Sequence, residues 1–529
     1  MLAKAKSAFE HTFHPRLKNQ VATHDGTHDA PSTIKPPTPT EVVRYRYHHG
    51  TNLGSIFVQE MWLTGSMFAP DSTGISELAA VQGWVKSEGI EKTRARFEQH
   101  WQEYVSDADL DWLRDVAHCN GVRLPIGYFT LGPDFCRDTP FGAVGDVYKN
   151  AWSAVKALVK RCHDRGIGVL VDLHGLPSGA NGGDHSGTDS GAAQLWTSQP
   201  DKSLATRCVC YIVHELRCVD GILGVQIVNE AEANASGMYE WYSSVLAEVS
   251  KVDSTMPIYI SDAWNFGQAV TWVQQKNRVQ EYRKNPVVID AHLYWCFSDD
   301  DKRKTPQQIT AEVGTRLMEL NGKSWSVLDR GAVNAVVGEY SCVLADESWR
   351  QSGGVSKDEL VQKFGIAQST YYQRNAAGSF FWTYRMDWMD YSGEWGFKQM
   401  NIQQAIKPPI SLTFSVVEVQ SRIAKAQGQR DDRRGQAYAS HCQYWDANDP
   451  SDKYEHWRFQ LGWDIGFSDA MSFFGMRSQC NLQGGDKIGL LELWTLKRLE
   501  ESGQVGQYGW EFETGLRQGI TGFVEAADV

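Results

Sequence analysis

Two glutamates in this 529-residue chain each end an apolar run: Glu230 follows GVQIV and an asparagine, and Glu339 follows AVVG. A carboxylate delivered by a buried strand is costly to desolvate, so a chemical reason for it is expected. Paired carboxyl groups are what hydrolysis of a glycosidic bond with retention requires. One holds a proton for the leaving oxygen, and the other attacks the anomeric carbon as an anion. His292 and Tyr294 lie two residues apart on a strand-like segment and therefore face the same way. Tyr294 is placed to hydrogen-bond the Glu339 carboxylate, and His292 to orient Glu230.

The elements that must position these residues are legible from Tyr45 onward, where short apolar segments rich in β-formers alternate with segments of helical period. Eight strand candidates appear: TNLGSIF from Thr51, NGVRLPIG from Asn120, IGVLVDLH from Ile167, ILGVQIVNE from Ile222, PIYISDAW from Pro257, VVIDAHLY from Val287, AVVGEY from Ala335 and GSFFWTYR from Gly378. Between the second and third, VYKNAWSAVKALVKRCHDRG puts Trp152, Val155, Val159 and Cys162 on one helix face, with Gly166 as a C-terminal stop. The pattern is that of an α/β protein, a (β/α)8 TIM barrel, with an open doubly wound sheet as the competitor. Arg123, His174, Asn229, Glu230, His292, Tyr294, Glu339 and Trp382 sit at or near the ends of successive strands. A barrel brings those ends to one mouth, whereas an open sheet would spread them along an edge.

Three regions are expected. Residues 1–43, polar, with four histidines and ending in IKPPTPT, read as a flexible arm; 44–408 form the barrel; 409–529 form a helical extension packed on it. The extension's helices are placed near Ser415 to Ala426, Tyr454 to Phe474, in DKIGLLELWTLKRLEESG, and around Trp510 to Val524. The aromatic pieces HCQYWDAN and YEHWRF suit core filling better than a lectin-like surface, and the extension is also a candidate oligomerisation surface.

A net charge of −12 and the absence of a basic stripe argue against nucleic acid; RDDRR at Asp431 is a mixed-sign run, a solvated helix face or loop. No run of eighteen apolar residues is present, and the N-terminus carries basic residues without an apolar core or cleavage pattern. Ten scattered cysteines fit reduced thiols, so a cytoplasmic protein is expected and the Asn234 sequon carries no weight. Cys210, His214 and Cys218 recur at i, i+4 spacing, but three ligands over two turns cannot reach one ion, and a core-facing stripe is the reading taken. No metal or other cofactor is expected. Walker, Rossmann, HExxH and GxSxG motifs are missing.

The segments GTNLGSIFVQEMWLTGSMF, VRLPIGYF, VLVDLHGLPSGANGGDHSG, GVQIVNE, DAHLYWCFS, VVGEYS and FFWTYRMD with WGF beyond it resemble, in order, the strand-end motifs of glycoside hydrolase family 5. They are most similar to the exo-β-1,3-glucanases of fungi, over roughly Tyr45 to Met400. The resemblance implies Glu230 as acid/base and Glu339 as nucleophile, with a carbohydrate or glucoside substrate. Arg123, His174, Asn229, His292 and Tyr294 match the surrounding shell. Glu60 matches an acidic residue that binds the terminal sugar, Asn181 a pocket residue, and Trp382 the platform under the sugar ring. Two departures stand out: Ala231 replaces the proline after the acid/base, and Gly183 replaces an aromatic after Asn-Gly. Phe297 is retained opposite, so half of an aromatic clamp on the leaving-group side is absent. The implied activity is removal of a terminal β-glucosyl unit from a β-1,3-glucan or oligosaccharide or from a small-molecule or lipid β-glucoside, and the departure at Gly183 points to a leaving group other than laminarin, such as a lipid, sterol or flavonoid. Transglycosylation and a sugar-binding scaffold are the alternatives.

Overall fold

The computed structural model describes residues 34–279, 284–323, 326–388 and 393–529. Eight parallel strands close in sequence order: β1 His48–Asn52, β2 Gly121–Gly127, β3 Gly168–Gly175, β4 Ile222–Gln226, β5 Ile258–Ser261, β6 Val287–Trp295, β7 Ala335–Leu344 and β8 Gly378–Phe381, with β8 pairing back onto β1. Helices between strands form the outer layer. The helix Ala151–His163 buries Trp152, Val155, Val159 and Cys162 as expected, and Gly166 beyond it takes the left-handed conformation at φ +72°. The barrel is therefore the TIM barrel read from the sequence.

Three local expectations are corrected. The first strand lies earlier, at His48–Asn52, because its buried side chains include two histidines, one on each face, that apolar patterning passes over. Residues 1–33 of the arm, with their histidines, lie outside the described residues, and the arm's end is not an arm. Pro39–Tyr45 is a helix, closed by a Thr38/Glu41 capping box, that buries Val42 and Tyr45. The Cys210, His214, Cys218 stripe does not face the core: the helix Gln199–Leu216 buries Cys208, Val209, Ile212 and Val213 instead, and Cys218 lies past its end, exposed.

The extension contains the helices Val416–Asn448, Trp457–Gln479, Leu491–Ser502 and Gly509–Ala526. The first is far longer than expected. It runs through the RDDRR segment, whose charges are used against neighbouring helices: Arg433 pairs with Glu525 at 3.0 Å and Arg434 with Asp464 at 3.1 Å. Trp457–Gln479 and Gly509–Ala526 approach backbone to backbone. A Cβ at Gly466 would lie 2.0 Å from the Leu516 carbonyl oxygen, and one at Gly519 2.1 Å from that of Trp463. Glycines four apart on both helices, Gly462/Gly466 and Gly515/Gly519, permit that contact.

The extension covers the N-terminal end of the barrel. Leu170, Leu223, Tyr259, Val288, Val336 and Phe380 share one buried cluster with Phe459, Trp463, Phe473, Trp494 and Phe512. Arg46, just before β1, pairs with Asp486 at 3.0 Å, and Asn334, just before β7, accepts from the Leu493 amide at 3.0 Å. The site is thereby left to the opposite end. No helix among the described residues is long and apolar enough to cross a membrane.

Candidate active site

β2 presents Arg123, fully buried, as the hub of a charged network. Its guanidinium donates to Glu339 Oε1 at 2.8 Å, Asn229 Oδ1 at 2.7 Å, Asn52 Oδ1 at 2.9 Å and Gln226 Oε1 at 2.9 Å, and pairs with Asp172 at 2.9 Å. Burial alone would lower this guanidinium, but the carboxylates of Asp172, Glu339 and Asp290 outweigh it and raise it. The second oxygen of Glu339 accepts from Tyr294 Oη at 2.7 Å. Both of its oxygens are thus held by donors, the arrangement that suits a carboxylate poised to attack.

Glu230 lies four residues past the end of β4 with φ +42°, a left-handed conformation that costs an ordinary residue about 1–2 kcal/mol. The Ala231 amide donates to Ser261 Oγ at 3.2 Å, a bond that a proline here could not make, which gives the departure at Ala231 a physical reason. His292 Nδ1 meets Glu230 Oε1 at 2.8 Å and its Nε2 meets Asp290 Oδ2 at 2.9 Å. The other oxygen, Oε2, lies 3.2 Å from His185 Nε2. Burial would raise the Glu230 carboxyl, but hydrogen bonds and charge from His185 and His292 outweigh it and hold it well below the ordinary carboxylate range. Burial lowers both imidazoles in turn, and the surrounding carboxylates more than reverse it. His292 is raised well above its usual value, chiefly by Glu339 and Asp290, and His185 is pushed up to about 9, chiefly by Glu230.

Oxygens of Glu230 and Glu339 lie within 4.8 Å of each other, close to the roughly 5 Å carboxyl separation of double displacement. His174 completes the wall: Asp172 takes its Nδ1 at 2.7 Å, leaving Nε2 to accept from Asn229 Nδ2 at 3.2 Å. The ring of Trp382, 4% exposed, lies parallel to His174 at 5.9 Å. Glu60, 5% exposed, accepts from Trp62 Nε1 at 2.9 Å, and burial pushes its carboxyl up to about 7. Asn181 spends both ends of its amide on backbone, donating across to the Glu230 carbonyl at 3.0 Å and accepting from the Gly183 amide of its own loop at 2.8 Å.

The rim is aromatic. Phe297 is 66% exposed and Trp264 and Trp388 are each 54% exposed, while Trp395 bridges Phe297 to Trp62 through ring contacts of 6.4 and 5.4 Å. Sequence reasoning missed His185, Asp262, Trp62, Trp264, Trp388 and Trp395. His185 stands inside the loop motif after β3, two residues beyond the Gly183 departure. The four tryptophans fall in loops, where no periodicity marks them. Asp262 directly follows β5 and is pushed by burial up to about 7.

Two clusters among the described residues bring three atoms of metal-binding type within 4.8 Å: Glu230, His292 and Glu339 here, and His441, His456 and Glu511 in the extension. Hydrogen bonds already engage both groups: in the first, His292 meets Glu230, and Tyr294 and Arg123 hold Glu339. His441 Nε2 and His456 Nδ1 both meet Glu511 Oε2, at 3.0 and 2.8 Å.

The chain matches the family described as cellulase (glycosyl hydrolase family 5) over residues 85–387, and the one described as the glucan 1,3-beta-glucosidase 3 C-terminal domain over residues 426–527. It is 32% identical to glucan 1,3-beta-glucosidase 3 of Schizosaccharomyces pombe, across 89% of this chain and 94% of that one. An uncharacterized glycosyl hydrolase of Saccharomyces cerevisiae is 29% identical across 91% and 92%. Among solved structures, rutinosidase from Aspergillus niger superimposes with a TM-score of 0.52 at 16% identity, covering 69% of this chain and 99% of the other, a likeness of fold. On the family match and the full-length similarity together, the chain belongs to glycosyl hydrolase family 5 and is a glycoside hydrolase.

Proposed function

We propose that the protein is a retaining, exo-acting β-glucosidase that removes a terminal β-glucosyl unit from substrates with an apolar aglycone. The observation that carries this reading is the pairing of Glu230 and Glu339 within 4.8 Å, under a rim of exposed rings. Glu339 attacks the anomeric carbon while Glu230 protonates the departing oxygen, which gives a covalent glycosyl-enzyme. Glu230 then takes a proton from the water that releases glucose. Tyr294 and Arg123 hold the nucleophile, and Asn229, His174 and Glu60 face the sugar. Trp382 lies beneath it. Phe297, Trp264 and Trp388 offer the aglycone flat apolar surface in place of the clamp that Gly183 leaves incomplete. A cytoplasmic location fits such substrates better than it fits cell-wall glucan.

The test is turnover of 4-nitrophenyl β-glucoside beside Glu339→Gln, followed by laminarin, a flavonoid glucoside, a steryl glucoside and glucosylceramide. Turnover abolished by the substitution and fastest on an apolar glucoside is the expected result. Laminarin hydrolysed far faster than the others would return the aglycone to glucan, the substrate in the name of the S. pombe relative. Glucosyl transfer to added acceptors in preference to water would make the enzyme a transglycosylase.

A further inference from the structure

We propose that His185 is a positioning residue that stores the proton Glu230 must deliver, and that Gly183 is glycine because the His185 ring occupies the space a side chain would fill. The inference rests on the reading of Glu230 as acid/base.

A general acid must carry its proton when the leaving oxygen arrives. The Glu230 carboxyl is flanked on both oxygens by imidazole, by His292 at 2.8 Å and His185 at 3.2 Å. The two histidines are not equivalent. His292 is committed through its second nitrogen to Asp290 at 2.9 Å and is buried beneath the pair. The His185 side chain is one-quarter exposed, and its Nε2 has no hydrogen-bond partner among the described residues beyond the Glu230 contact. It is the partner an incoming substrate can displace. The groups around it are Glu230 after β4, Glu60 after β1, Glu339 on β7, Asp184 beside it, and the His174 ring of β3 at 5.6 Å. The carboxyl groups of Glu230, Glu60 and Glu339 therefore favour a charged ring, and the proton rests on His185 while Glu230 is ionised.

The loop is built to hold that ring. Asn181 ties it to the Glu230 carbonyl, Ser186 Oγ donates to the Gly183 carbonyl at 2.7 Å, and a short turn at Asp184–Ser186 carries His185 inward. Gly183 has φ −76°, open to any residue, so conformation does not require glycine there. Space does. A Cβ at 183 would sit 2.3 Å from His185 Cε1 and 2.9 Å from its Nε2. The missing aromatic and the present histidine are thus one exchange.

In the first half-reaction the proton passes from His185 Nε2 to Glu230 Oε2 and on to the glycosidic oxygen. The C1–O bond breaks with its electron pair on that oxygen, and the Glu339 carboxylate bonds C1. In the second, water attacks C1, the ester to Glu339 breaks, and the water's proton returns through Glu230 to neutral His185.

The experiment compares pH profiles of kcat/KM for wild type, His185→Gln and Gly183→Ala on octyl β-glucoside, which needs a proton, and 2,4-dinitrophenyl β-glucoside, which does not. Both variants are expected to lose about tenfold or more on the octyl glucoside at pH 8, to move its basic limb down by about one pH unit, and to lose less than about threefold on the dinitrophenyl glucoside. Gly183→Ala keeps the histidine and displaces only its ring, so a matching signature separates position from folding. Profiles that superimpose on wild type, or equal losses on both substrates, would overturn the proposal. Failure of the parent reading shows elsewhere: Glu230→Ala would then lose activity on both glucosides alike, with no rescue by azide.

Discussion

At the mouth of the barrel His185 and His292 face carboxylates and are raised, to about 9 and well above the usual value. At the closed end His48 and His49 meet the carbonyls of Val43 and Ala117, and burial lowers them to about 3 and about 4. His441, stacked on Phe459 at 4.1 Å inside the extension, is also lowered by burial although Glu511 opposes it. His185 and His292 are thus kept charged where substrate enters, and His48, His49 and His441 neutral where the extension seals the barrel. Charge costs free energy to bury, and for these histidines that cost falls at the end where the carboxylates converge.

The sharpest way to break this contrast is to change one atom type at each end. Glu339→Gln keeps the shape of the side chain and the Tyr294 and Arg123 neighbours but removes the carboxylate proposed as nucleophile. Turnover of 4-nitrophenyl β-glucoside is expected to fall by roughly 10⁴-fold or more, with Tm within about 3 °C of wild type by differential scanning fluorimetry. A residual rate above about 1% would remove Glu339 from the nucleophile's role. At the other end Gly466→Ala brings a methyl to within 2.0 Å of the Leu516 carbonyl and must push the facing helices away from each other. About 3 kcal/mol of stability is expected to be lost, while kcat at 20 °C on the folded fraction stays within about twofold. An equal loss of kcat would mean that the extension shapes the mouth.

The two ends also differ in how much the sequence disclosed. Glu230, Glu339, Arg123, His292 and Tyr294 are legible because each ends or interrupts an apolar β-run, and a closed barrel converts that position into convergence. His185 is not legible, because its meaning lies in a distance to a residue 45 positions away and in a missing side chain at Gly183. The extension reads as helical, yet its 33-residue first helix reads as stopping short of RDDRR, where local charge suggests solvent and the pairing with Asp464 and Glu525 lies in other helices. Glycines four apart in LGWDIG and TGLRQG stand in the sequence, but only a partner helix shows what they are for.

The contrast makes opposite statements about pH. His48, His49 and His441 have folded values below the unfolded 6.5, so the stability they contribute is present above that pH and is lost as pH falls through their lowered values. His185 is raised to about 9, so its contribution is complete below about 6.5 and lost as pH rises through 9. Thermal unfolding is expected to show Tm falling on both sides of neutrality. His441→Gln should flatten the acid limb by about 2 °C, and His185→Gln should flatten only the alkaline limb. Acid and alkaline limbs that respond equally to both substitutions would dissolve the distinction between the two ends.

The smallest expected effect lies at the rim, where a residue is neither charged nor buried. Phe297 is 66% exposed and touches Tyr294 and Trp395 by ring edges at 5.5 and 6.4 Å, so its removal costs the fold little, within about 0.5 kcal/mol. An apolar aglycone laid against it would lose about 40 Å² of covered surface, or about 1 kcal/mol at 25 cal/mol per Å². Phe297→Ala is therefore expected to raise KM about fivefold for a steryl or long-chain alkyl glucoside, and to leave kcat and the KM for methyl β-glucoside within about 1.5-fold. Because the two glucosides share the sugar and differ only in the aglycone, a KM change common to both would place Phe297 against the sugar instead and move the leaving group to the Trp264 side of the mouth.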